Sequence, residues 1–139
     1  MDNFRYQIQI SVQDTDITGR IYCSQLFNLA QRALTEFLDQ QGYSLKQRLI
    51  EKDYVFPIVH MSGDFYQEIS LEDKLTIGMK CLKIGDSSFH LEYPFFKGET
   101  LVAKALFVHC TISVKNQKKI PIPEKLKKIL VKKYLFMYK

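Results

Sequence analysis

Residues 24–41 limit most strongly what this chain can become. Leu26, Phe27, Leu29, Ala30, Ala33, Leu34, Phe37 and Leu38 recur there at helical spacing and cover more than one stripe of a helix. Ser24 stands where an N-cap would, and Gly42 where the helix would stop. A helix apolar over so much of its circumference cannot be satisfied by one flat layer. It needs a sheet that curves around it.

The remaining sequence supplies that sheet. Phe4 to Val12 alternates, with Phe4, Tyr6, Ile8, Ile10 and Val12 expected on the buried face. A short helix is expected over Ser44 to Glu51. Four strands then follow, at Tyr54 to Tyr66, Lys74 to Ile84, Ser88 to Phe96 and Thr100 to Val114. Gly85-Asp86 and Lys97-Gly98-Glu99 are turn signals between them. Ile120-Pro121-Ile122-Pro123 excludes helix interior, and Pro123 suits the first turn of a last helix from Glu124 to about Tyr134. One long helix and hairpin-connected strands predict a single α+β domain over residues 1–139: an antiparallel sheet wrapped around a long central helix, with a short C-terminal helix.

Composition narrows the function classes. No apolar run approaches the roughly 20 residues that span a bilayer, and the opening Met1-Asp2-Asn3-Phe4-Arg5 does not resemble a secretory signal. Cys23, Cys81 and Cys110 are odd in number and widely spaced, unlike a disulfide framework or a zinc ribbon. A cytoplasmic location is expected. The net charge of +5 is local, because lysine dominates from Lys115 onward and the rest of the chain is slightly acidic. The expected last helix places Leu126, Ile129 and Leu130 on one face and lysines on the other. It suits a solvated helix docked on the domain, a grip on phosphate groups, or contact with an anionic membrane helped by Tyr134 to Tyr138. A nucleic-acid partner is not expected, since most of this tail lacks interleaved aromatic residues.

The densest polar cluster is Gln13-Asp14-Thr15-Asp16-Ile17-Thr18-Gly19-Arg20, between the first strand and the long helix. Acids and threonines in that position cap helices and build turns. They also place a carboxylate beside backbone N–H groups that lack intrahelical partners, a combination able to attack a carbonyl and stabilise the oxyanion that forms. Gly19 permits a tight turn or close backbone approach. His60 lies mid-strand, either as a substrate contact or as a satisfied structural histidine. His109 and Cys110 are adjacent and so point to opposite faces, and no metal-ligand spacing is present. Cys23 is expected to be a small buried residue.

The string Val12-Gln13-Asp14-Thr15-Asp16-Ile17-Thr18-Gly19-Arg20-Ile21-Tyr22 resembles the signature of the 4-hydroxybenzoyl-CoA thioesterase family of hotdog folds. Phe56 to Tyr66 and Glu72 to Ile77 are similar to that family's following strands. The Asp-Thr-Asp loop, Pro57 to Phe65 and Lys118-Lys119-Ile120-Pro121-Ile122-Pro123 resemble the 1,4-dihydroxy-2-naphthoyl-CoA thioesterases of quinone pathways more closely. Cys23 stands where one short-acyl branch carries a histidine.

The resemblance implies hydrolysis of an acyl-CoA thioester with an aromatic acyl group. Asp16 would be the catalytic carboxylate, acting as nucleophile or general base, and the backbone N–H of Cys23 the oxyanion donor. Gly19, Tyr22 and His60 would contact substrate, with Asp14 shaping the loop. CoA would be part of the substrate, with no bound cofactor or metal required. A homo-oligomer, dimer or tetramer, is implied, its site shared between chains. Aliphatic acyl-CoA or acyl-carrier-protein hydrolysis and a non-catalytic acyl- or CoA-binding module are the alternatives.

Overall fold

The computed structural model describes residues 4–131. Strand β1 (Tyr6–Gln9) is followed by a 3-10 turn at Val12–Asp14, then by helices α1 (Gln25–Gln40) and α2 (Leu45–Glu51). Strands β2 (Tyr54–Val55), β3 (Ile58–Phe65), β4 (Lys74–Ile77), β5 (Lys80–Ile84), β6 (Ser88–Lys97), β7 (Thr100–Cys110) and β8 (Ile112–Ser113) come next, then helix α3 (Glu124–Val131). The main sheet is antiparallel in the order β1-β4-β6-β7-β3, with β5 also paired to β6 and a separate β2–β8 ribbon.

The alternation of β6 and β7 decides which face is the core. Phe89, Leu91, Tyr93 and Phe95 on β6, with Ala103, Ala105, Phe107 and His109 on β7, are all buried on one side. Helix α1 contributes Leu26, Leu29, Ala30, Ala33, Leu34, Phe37 and Leu38 to the same core. The rings of Phe27 and Phe107 lie 6.1 Å apart, and Phe4 meets Phe37 edge-on at 5.3 Å. Seven largely apolar side chains removed from water along one helix anchor it against the sheet more firmly than its own backbone propensity could.

Several expected strands are interrupted for local reasons. The first ends at Gln9, so Val12 is 75% exposed instead of buried. Asp14 Oδ2 accepts hydrogen bonds from the Ser11 amide (2.8 Å) and hydroxyl (3.0 Å), pulling the chain out of the strand. Tyr54 to Tyr66 divides around Pro57, which has no N–H for the ladder. Lys74 to Ile84 divides at Gly78-Met79, and Thr100 to Val114 divides at Thr111.

Ser24 precedes α1 as expected, yet its side chain makes no capping bond and its backbone is already helical. Ser44 does cap α2, accepting from the Gln47 amide at 3.2 Å. Helix α3 docks through Leu126, Ile129 and Leu130 and leaves Lys125, Lys127 and Lys128 exposed, as a docked amphipathic helix should. Its expected continuation to Tyr134, and the Tyr134 to Tyr138 segment, lie outside the described residues. Among the described residues no helix is long and apolar enough to cross a membrane.

Candidate active site

The loop between β1 and α1 closes on itself through its backbone. Thr15 and Ile21 form a bridge, the Asp16 amide donates to Arg20 O (2.8 Å), and the Gly19 amide donates to Asp16 O (3.0 Å). Gly19 sits at φ +80°, a conformation that strains any residue with a Cβ, and its carbonyl accepts from the Leu71 amide at 2.8 Å. The loop is thus tied both to itself and to the segment before β4.

The two acids of the loop have different surroundings. Asp14 is 5% exposed and wholly committed internally. Its Oδ2 is held by Ser11, and its Oδ1 accepts from Gln25 Nε2 at 2.7 Å. Burial alone would raise its pKa, but the Ser11 and Gln25 hydrogen bonds outweigh burial and hold the carboxyl below its usual range. Asp14 shapes the loop and joins it to the first turn of α1.

Asp16 is half-buried and faces outward. Its Oδ1 accepts from the Thr18 hydroxyl (2.5 Å), the Thr18 amide (2.8 Å) and, more distantly, the Arg20 amide (3.4 Å). Its Oδ2 has no hydrogen-bond partner among the described residues. The Thr18 hydroxyl, then the Thr18 amide, hold the Asp16 carboxyl below the ordinary carboxylate range, so it is ionised at neutral pH.

The start of α1 follows directly. The Tyr22 amide donates to Asp14 O (2.9 Å), and Tyr22 O accepts from the Gln25 amide (3.0 Å) to open the helix. The amides of Cys23 and Ser24 have no protein acceptor among the described residues, as expected of a helix N-terminus, which also carries the positive end of the helix dipole. The Cys23 side chain is exposed, not buried as its residue type suggested: it precedes α1, outside the run of buried residues that begins at Leu26.

Beside it lies a cleft of about 430 Å³, lined by Arg20, Ile21, Cys23, Phe65, Tyr66, Gln67, Glu68 and Ile69. Arg20 Nε pairs with Glu68 Oε1 at 2.8 Å in its wall. Phe65 and Tyr66 are both substantially exposed there. Neither the Thr18 contact with Asp16 nor this aromatic wall is among the expectations from the sequence. An Asp-x-Thr spacing is a signal for the first; the second depends on where the end of β3 meets the loop.

Asp16, Gly19, Tyr22 and Cys23 therefore share one loop and helix start. His60 does not join them within one chain. It pairs with Val108, on the face of the sheet opposite the α1-facing Phe107, and is exposed on the edge strand β3. His109 is buried in the core, its Nδ1 donating to Phe56 O at 2.8 Å and its ring stacked on Phe89 at 4.9 Å.

Comparison with known proteins fits this geometry. Residues 10–130 match the family model of the thioesterase-like superfamily. A relative named 1,4-dihydroxy-2-naphthoyl-CoA hydrolase from Nostoc punctiforme is 32% identical over 124 residues, covering 89% of this chain and 84% of that protein. A Synechocystis relative of the same name is 28% identical, covering 89% and 91%. A crystal structure described as a 1,4-dihydroxy-2-naphthoyl-CoA thioesterase from Synechocystis superposes with a TM-score of 0.85 at 26% identity, covering 91% of this chain and 94% of that one. The antiparallel sheet and helices are those of a hotdog fold, and the chain belongs to the thioesterase-like superfamily.

Proposed function

We propose that this protein hydrolyses the thioester of an aromatic acyl-CoA, with 1,4-dihydroxy-2-naphthoyl-CoA as the favoured substrate. The observation that carries the reading is the ionised Asp16, whose Oδ2 has no partner among the described residues, on a loop that leads into the amides of Cys23 and Ser24, equally without an acceptor among them. The names of the curated relatives support the choice of acyl group.

The thioester carbonyl would lie against the Cys23 N–H, where backbone dipoles oppose the negative charge that develops on its oxygen. Asp16 would either attack the carbonyl carbon or take a proton from the water that does. The C–S bond then breaks, the thiolate leaves as CoA and is protonated, and the elements of water end in the free acid and the thiol. Phe65 and Tyr66 offer the flat apolar surface an aromatic acyl group needs. Gly19 and Tyr22 would contact substrate from the loop.

We also propose a homo-oligomer, a dimer or tetramer, with the sheet curved around α1 as the centre of each subunit. Strand β3 is an edge, paired on one side only among the described residues, and Val59, Met61 and Phe65 are exposed along it. A second copy would satisfy both that edge and the apolar side chains. The test of the acyl group is thiol release from a panel of acyl-CoAs. The reading expects naphthoyl and benzoyl thioesters to exceed short aliphatic ones in kcat/KM. Equal or better turnover of aliphatic thioesters would remove the aromatic assignment.

A further inference from the structure

The two oxygens of Asp16 are not equivalent. Among the described residues, every hydrogen bond to this carboxylate goes to Oδ1: the Thr18 hydroxyl at 2.5 Å, the Thr18 amide at 2.8 Å and the Arg20 amide at 3.4 Å. Thr18 supplies the two short ones. It is exposed and packs against no core, so its contact with Asp16 is not a by-product of burial.

We propose that Thr18 is a positioning residue for the hydrolysis: it fixes Oδ1 of Asp16, which leaves Oδ2 as the oxygen offered to the acyl carbon or to its attacking water. The inference rests on the thioesterase reading above and assigns a role that reading does not contain. A free carboxylate rotates about its Cβ–Cγ bond and presents either oxygen. Two short donors on one oxygen stop that rotation and restrict the reactive lone pairs to one direction, which is how orientation lowers a barrier. Hydrogen bonds to a charged acceptor are stronger than neutral ones, so the restraint is firm even at a half-exposed site. Gly19 completes the device. Its positive φ turns the chain back after Thr18, which brings the Arg20 amide round to the same oxygen.

The test compares the wild-type chain with Thr18→Val and Thr18→Ser. Valine keeps the shape and loses the hydroxyl; serine keeps the hydroxyl. Three quantities are measured: the Asp16 carboxyl titration by carbon NMR, which needs no substrate, and the pH profile of kcat/KM and the kcat at pH 7 on 1,4-dihydroxy-2-naphthoyl-CoA. In Thr18→Val the carboxyl titrates at higher pH than in wild type, the acid limb of kcat/KM moves up with it, and kcat at pH 7 falls about tenfold. Thr18→Ser restores all three. An Asp16 titration unchanged in Thr18→Val overturns the contact itself, whatever the activity. A shifted titration with an unchanged acid limb and kcat overturns its part in the reaction. A wild-type chain that hydrolyses neither aromatic nor aliphatic acyl-CoA overturns the thioesterase reading instead, and the NMR result then stands apart from it.

Discussion

Gly63 on β3 lies directly beneath Leu26 on α1: a Cβ at Gly63 would stand 3.0 Å from Leu26 Cδ2 and 3.3 Å from the Phe27 ring. The edge strand and the first turn of the helix approach that closely only because the side chain is absent. The same first turn follows Cys23, whose amide is the proposed oxyanion donor. Gly63→Val is therefore expected to push the helix start away from the strand. It should destabilise the fold by about 1–3 kcal/mol and lower kcat more than it raises KM, as read by thermal melting together with steady-state kinetics.

Asp14 organises the turn before Asp16. Asp14→Ala strands the Ser11 amide and the Gln25 amide group and should cost about 2 kcal/mol, seen as a melting temperature about 5–10 °C lower. Its folded pKa is depressed, so its contribution is whole above the ordinary carboxylate value of about 3.9 and fades as the pH falls through its lower folded value. Above about pH 5 the difference between wild type and Asp14→Ala should be constant, and on acidification below about pH 4 it should shrink.

His109 makes the opposite demand. Burial holds its pKa below the ordinary imidazole value, with the Phe56 carbonyl pulling partly the other way. The folded chain thus binds fewer protons than the unfolded one below about pH 6.5, and stability falls as the pH drops from there. His109→Gln, which can still donate to Phe56 O, should flatten the slope of melting temperature between about pH 6.5 and 5. An unchanged slope would place its origin elsewhere.

Much of this was legible in the sequence, for reasons that differ by element. Helix α1 was readable because eight apolar residues at one period leave no other structure. The docked face of α3 followed from Leu126, Ile129 and Leu130 in the same way. The loop carrying Asp14 and Asp16 was visible as a polar cluster before a helix, but the commitment of Asp14 to Ser11 and Gln25 was not, since a capping acid and a free one have the same spelling. Alternation persists in the sequence to Val12, past the end of β1 at Gln9, whereas the Asp14 bond to Ser11 turns the backbone and leaves Val12 exposed. The residue type alone predicts a buried Cys23, whereas its position before the helix leaves it exposed. The face on which His60 stands depends on the register of β3 against β7 and on the irregularity at Val59, and a one-residue slip reverses it.

The central claim is that Asp16 performs the chemistry, and Asp16→Asn tests it most directly. The side chain keeps its size and can still accept from Thr18, but it can neither attack nor take a proton. With 1,4-dihydroxy-2-naphthoyl-CoA as substrate and free thiol as the readout, kcat/KM should fall by at least about a hundredfold with the melting temperature little changed. Hydrolysis within a few-fold of wild type by the folded Asp16→Asn protein would contradict the account.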